Sequence, residues 1–255
     1  MSRIFLFGVV MFCAAPLAAQ DVVVIGEIHD NPAHHEAQAE LVQTVEPRAL
    51  VFEMLTSEQA SQIKPSVRND MQALADAVNW ADSGWPDFAM YYPIFEAAPE
   101  ARIYGAQIPR DVARAAFEKG VAESFSGDAV RFGLAEPLPE AEQDQREAMQ
   151  MVAHCDALPQ HLLPTMVAIQ RLRDAELARV AIQAMQDTGG PVAVITGNGH
   201  ARRDWGMPVY LNRVAPDLEV QVIGQAEDGS ELRGIFDEVI VASPVDRPDP
   251  CAAFQ

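Results

Sequence analysis

Val22-Val23-Val24-Ile25-Gly26-Glu27-Ile28-His29-Asp30-Asn31-Pro32 is the stretch whose reading decides the fold. Three valines and an isoleucine in a row, with no polar alternation, read as a strand buried on both faces, the kind found in parallel sheets covered by helices. Gly26 ends the run, and Asp30-Asn31-Pro32 supplies a capping side chain and a proline near the first helical position. A helix is therefore expected from about Pro32 to Val45. A second apolar strand, Ala49 to Met54, follows Glu46-Pro47. Strand, helix and strand make a right-handed unit with both strands parallel.

Working outward, Ser57 to Ala98 shows helical patterning broken at Pro65, Gly84-Trp85-Pro86 and Pro93, which reads as an insertion of short helices. Ala101 to Ala106 reads as a third strand, Asp111 to Lys119 and Glu140 to Ala153 as helices, and residues 120–139 as a loop. Apolar positions recur at helical spacing from Leu162 to Gln186 until Gly189-Gly190-Pro191 stops them. Val192 to Thr196 is a fourth strand, Val209 to Val214 a short element, and Leu218 to Ile223 and Glu238 to Ala242 late strands. Four or five strands alternating with helices predict an α/β domain over residues 21–255, with a mostly parallel central sheet and a helical insertion at about 57–98.

The chain has 255 residues, of which 49% are hydrophobic and 22% charged, enough for a full core. Its formal net charge of −19 removes the electrostatic footprint that a nucleic acid requires. Only Lys64 and Lys119 are lysines, so an anionic ligand is expected to meet arginine. Residues 1–20 carry a basic start, the apolar run Ile4 to Ala15 and a small-residue end, which is a secretory signal and predicts a periplasmic or secreted protein. Lipid attachment at Cys13 is the lesser alternative, because Phe12 precedes it where a small residue is wanted. Export leaves Cys155 and Cys251, which are expected to pair in an oxidising compartment.

Three polar groups fall just past the carboxyl ends of apolar strands, where open α/β sheets place their ligands. They are Glu27 with His29, Glu53, and His200 in Gly197-Asn198-Gly199-His200. The sheet is expected to bring His29 and His200 together. With Glu27 or Glu53 they satisfy the ligand count for a divalent metal with an open position, although no tight zinc signature is present. His34 and His35 stand in a first helical turn, where the positive helix end disfavours protonation. Aromatics concentrate between Trp80 and Phe95, as a small satellite core or as the wall of a flat apolar ligand.

The string Gly26-Glu-Ile-His29-Asp-Asn31 with His34-His35 and Gln38 resembles the start of the ChaN-like family of haem-binding uptake proteins. So do Gly84-Trp-Pro-Asp87 with Tyr91, His154-Cys155-Asp156, Gln170-Arg171 with Arg173-Asp174-Ala175, and Gly197-Asn-Gly-His200 with Gly206-Met-Pro208. Tiki proteases, TraB-type proteins and erythromycin esterases belong to the same superfamily. The resemblance implies haem as cofactor, in some members as a face-to-face pair enclosed by a homodimer, and membrane haem-transport components as partners. It implies a tyrosine on the iron, aligned with Tyr91 and with Tyr92 as fallback, and polar or basic grips on the propionates, for which Arg203 or His34 are offered. His29 and His200 align with motifs that act in catalysis or metal binding in the hydrolase branches. The first reading is thus a haem scavenger or carrier. The alternative is a hydrolase using Glu27, His29, Glu53 and His200, with or without a metal, and a third is a binding module whose polar rim is only structural.

Overall fold

The computed structural model describes residues 20–249 and 251–252, so the expected signal segment lies outside them apart from Gln20. Six parallel strands form one sheet in the order β3-β2-β4-β1-β5-β6. They are β1 (Val22–Ile25), β2 (Ala49–Phe52), β3 (Arg102–Gly105), β4 (Val192–Ile195), β5 (Val220–Glu227) and β6 (Glu238–Ala242). The α/β class and the mostly parallel sheet are as the sequence predicts. The late strand β4 pairs with both β1 and β2, so the first two strands of the chain are not neighbours.

Helix α1 (Pro32–Val45) starts where the sequence sets it, with the Asn31 side chain accepting from the Ala33 amide at 3.0 Å. The insertion holds α2 (Ser57–Gln62), α3 (Pro65–Arg68), α4 (Met71–Ala77) and α5 (Phe88–Ala97). After β3 come α6 (Arg110–Lys119), α7 (Val121–Ser124), α8 (Glu140–Ala153) and the 26-residue α9 (Leu163–Thr188). Gly189 closes α9 in the left-handed conformation at φ 74°. Two differences from the sequence reading are local: α7 interrupts the expected loop, and Val209 to Val214 belongs to helix α11 (Met207–Val214). Gly197-Asn198-Gly199-His200 turns into the one-turn helix α10 (Asn198–Ala201).

Strand side chains alternate between two apolar layers. Val22, Val24, Val51, Val192 and Val194 face α9 and α11, while Val23, Ile25, Leu50, Phe52 and Ile195 face α1, α4 and α5. All of them are at most 1% exposed, which accounts for the unbroken β-branched runs. The aromatic cluster resolves mostly into core: Trp80, Phe88, Tyr91 and Phe95 are buried, with Phe95 stacked on Phe52 at 4.5 Å.

The end of the chain is tied down twice. Cys155 and Cys251 form a disulfide across 96 positions. Arg247 grips Asp30 at 2.7 and 2.8 Å and Glu227 at 2.6 and 2.7 Å. Its guanidinium is the main cause holding the Glu227 carboxyl down at about 2.

Reducing the disulfide, or making Cys155→Ser, is expected to cost about 4–5 kcal/mol by the loop-closure entropy of so long a loop. Thermal unfolding with and without reductant measures this, and an unchanged midpoint would contradict it. Because the folded Glu227 titrates below its ordinary value, its stabilisation is present above pH about 4.5 and is lost as pH falls toward 2. Arg247→Met should lower stability at pH 7 by about 1–3 kcal/mol and flatten this acid limb, read from melting temperature against pH.

Candidate functional site

Because β4 lies between β1 and β2, the loops after three adjacent strands open at one edge of the sheet. Glu27 and His29 leave β1, Glu53 leaves β2, and Gly197 to His200 leave β4. The two glycine-histidine motifs interlock. Asn198 donates to the Gln225 carbonyl at 2.8 Å and accepts from the Gln225 amide at 2.9 Å, fastening the β4 loop to β5. A Cβ on Gly26 would stand 2.4 Å from Asn198 Oδ1, so only glycine lets this crosslink form beside β1. Gly197 has the same role toward the site, since a Cβ there would come within 2.9 Å of His29 Nε2.

Glu53 is the hub. Its Oε2 accepts from Thr196 Oγ1 at 2.7 Å and from the Gly197 amide at 2.8 Å, and its Oε1 lies 3.5 Å from His200 Nε2. Burial pushes the Glu53 carboxyl up, but the charges of His200 and His29, with these hydrogen bonds, outweigh it and hold it below the ordinary range. His200 is held on its other side by Asp174, Nδ1 to Oδ1 at 2.6 Å, and Gln170 Nε2 stands 3.1 Å from the same nitrogen. Burial opposes a charge on His200, yet Glu53 and Asp174 prevail and raise its pKa. Gln170 and Asp174 are four residues apart on α9, on one helix face.

Glu27 is 2% exposed and forms the second hub. Its Oε1 accepts from the Tyr91 hydroxyl at 2.9 Å and lies 2.6 Å from His29 Nδ1. His35 Nδ1 lies 3.5 Å from Oε2. Burial disfavours a charge on His29, but the Glu27 hydrogen bond and the Glu53 charge raise its pKa. With Nδ1 occupied, His29 turns Nε2 toward Gly197 and rests its ring edge-on against Trp85 at 4.9 Å. The His29 side chain is 35% exposed.

The four rim residues chosen from sequence thus converge, while the other assignments fare differently. Tyr91 is fully buried, and burial with the adjacent Glu27 charge pushes its phenol far up, so its oxygen faces Glu27 rather than any open space. Tyr91, for which the resemblance implies the axial-ligand role, thus has its hydroxyl committed to Glu27 in this structure. Tyr92 is half-buried on the outer side of α5 beside Phe88. Arg203 is bound to Asp237 and to the Val220 carbonyl at the start of β5, whereas the site lies past the strands' carboxyl ends. His34 is buried, accepting from the Ile28 amide at 2.9 Å, and burial lowers its pKa. Among the described residues no group of three or more His, Cys, Asp or Glu side chains is set to hold a metal ion. The divalent-metal arrangement is not supported: Glu27 Oε1 is engaged by Tyr91 and His29, and His200 Nδ1 by Asp174.

Beside this network lies a cleft of about 170 Å³ lined by Glu53, Trp85, Ile108, Leu177, Arg110 and Arg173. Both arginines are exposed, and among the described residues neither forms a hydrogen bond or an ion pair. The buried indole Nε1 of Trp85 has no hydrogen-bond partner there. Sequence reading missed Asp174, Gln170, Arg110 and Arg173 as members of the site. For the first two a signal existed, a polar i, i+4 pair inside an apolar helical run.

No curated protein sequence matches the chain. Among solved structures, one described as cofacial heme binding to ChaN of Campylobacter jejuni is similar, with TM-score 0.65, 19% identity and 85% of each chain covered. The type III effector HopBA1 is similar at TM-score 0.45 and 12% identity, with 88% of each chain covered. At 19% identity the likeness to the first shows the fold alone. The sequence profile of the haem-binding uptake family of the Tiki superfamily, ChaN, matches residues 13–211. The order β3-β2-β4-β1-β5-β6, the interlocked glycine-histidine loops and that match lead to one conclusion: the chain belongs to the ChaN family of haem-binding uptake proteins.

Proposed function

We propose that this protein is a periplasmic haem carrier that holds its ligand across the cleft between His29, Trp85 and α6. The observation that carries this reading is the partly exposed His29 ring edge-on to Trp85, whose indole lines a cleft together with two guanidiniums that pair with no described residue. Periplasmic residence is supported by the secretory segment of residues 1–20 and by the Cys155–Cys251 disulfide.

The residues fit haem by their chemistry. Iron is a cation, and Glu27 and Glu53 place negative charge on two sides of His29, a setting that favours positive charge at the imidazole, the competing proton included. Glu27 fixes the tautomer by engaging Nδ1, so that Nε2 is the atom presented. Tyr91 acts through Glu27, holding the carboxylate by its hydroxyl. Ile108, Leu177 and Trp85 give the apolar wall, and the orphaned Trp85 Nε1 is a free donor for a carboxylate. Arg110 and Arg173 supply the propionate charge that Arg203 and His34 do not. When bound, haem supplies ferric iron as cargo for uptake. The cleft is smaller than the 300–1,000 Å³ of ordinary ligand pockets, so a macrocycle remains partly uncovered. A second copy of the chain is the proposed cover.

Hemin titration followed by visible absorption tests the reading. His29→Ala should shift the ferric spectrum and weaken binding about tenfold or more, whereas Tyr91→Phe should leave the spectrum unchanged. Loss of the signature in Tyr91→Phe or Tyr92→Phe with His29→Ala silent would restore tyrosine ligation instead. Arg110→Ala and Arg173→Ala should each weaken hemin about three- to tenfold without moving the absorption bands, as expected for charge-assisted contacts away from iron. Sedimentation with and without hemin should show dimer on loading.

A further inference from the structure

Behind the His200 layer, on the side away from Glu53, lies a second pocket of about 220 Å³ between α8 and α9 that the haem reading does not use. Its most unusual lining is a pair of arginines with almost no solvent exposure, Arg146 at 7% and Arg202 at 6%. Both guanidiniums lie over one indole, that of Trp205, at 5.0 and 4.1 Å from the ring centroid. Each is already neutralised from one side. Arg146 uses Nε and Nη2 on Glu142, and Arg202 uses the same two nitrogens on Asp204.

That leaves the Nη1 groups. Among the described residues Arg146 Nη1 meets no acceptor, and Arg202 Nη1 meets only the weak Met149 Sδ at 3.6 Å. Two strong donors thus stand short of oxygen partners in a cavity otherwise walled by Trp205, Met149 and Val167. The remaining acidic lining group, Asp174, has its charge answered by His200. Neutral pairs with spare N–H groups offer hydrogen bonds to an anion without an excess of charge, and the flat indole calls for a flat apolar body rather than a bare inorganic ion.

We propose that this pocket binds a small planar carboxylate, whose oxygens accept from Arg146 Nη1 and Arg202 Nη1 while its body packs between Trp205, Met149 and Val167. The volume is below that of drug-sized ligand pockets, which limits the ligand to a single ring or its equivalent. Gln170 and Asp174 line this pocket and also hold His200, so the ligand lies one side chain removed from the Glu53 hub.

Gly199, which lines the pocket, provides a blocking variant, because a Cβ there meets nothing closer than Gln170 Nε2 at 4.0 Å, and the variant's folding is checked by its melting temperature. Calorimetry on the whole protein without hemin, using benzoate against its neutral isostere benzamide, is the test. Benzoate should bind in the millimolar range or tighter, benzamide about tenfold more weakly or not at all, and both Gly199→Leu and Arg146→Met should abolish the benzoate heat. Quenching of Trp205 fluorescence, absent in Trp205→Phe, should accompany binding. No heat with benzoate, equal heats for the two probes, or full binding by folded Gly199→Leu would overturn the proposal. None of these outcomes depends on whether hemin binds at the other cleft.

Discussion

The site depends on the seating of β4 between β1 and β2. Strands that leave a parallel sheet side by side deliver their next residues to a common edge, and here that edge receives an acid, a histidine motif and another acid in turn. Had β1 paired directly with β2, as a simple crossover would have it, the His200 loop would not lie between the loops that carry Glu53 and His29. The observed order puts it there, and the charges of both imidazoles reach Glu53 while Glu53 acts back on each, which accounts for the pKa directions found there.

The histidines illustrate what a strand-end position does and does not imply. His29, His34, His35 and His200 are all near the rim, yet of these four only His29 has a partly exposed side chain. His34 is spent on the Ile28 amide, His35 on the His29 carbonyl at 2.8 Å, and His200 on Asp174 and Glu53. Three imidazoles are thus held by the surrounding chain, and the fourth is oriented by Glu27 at Nδ1. Tyr91 belongs to that scaffolding, since its phenol secures the acid that orients His29.

Much of this was legible in the residues. The β-branched runs named the buried strands, Asn31-Pro32 and Gly189 marked helix ends to within a residue, and the paired glycine-histidine motifs pointed to a shared mouth. What stayed hidden has a physical reason. Strand order is set by how later strands fill gaps between earlier ones, which no local pattern records. Whether a tyrosine faces core or cleft depends on the phase of a short proline-containing helix, and Tyr91 and Tyr92 differ by a single step of it. Arg110 carries no motif, and the motif that holds Arg173 does not say which way its guanidinium points.

The register of β1 bears on how the chain comes into being. Val22 pairs with Val192 and with Val220, partners separated from it by 170 and 198 positions. A ribosome must therefore make three quarters of the polypeptide before the innermost strand has any neighbour, and contacts of such long sequence separation form slowly. Under the proposed export to the periplasm this delay is useful, because a chain without its central pairing can be threaded through a translocation pore and the sheet can assemble on the far side.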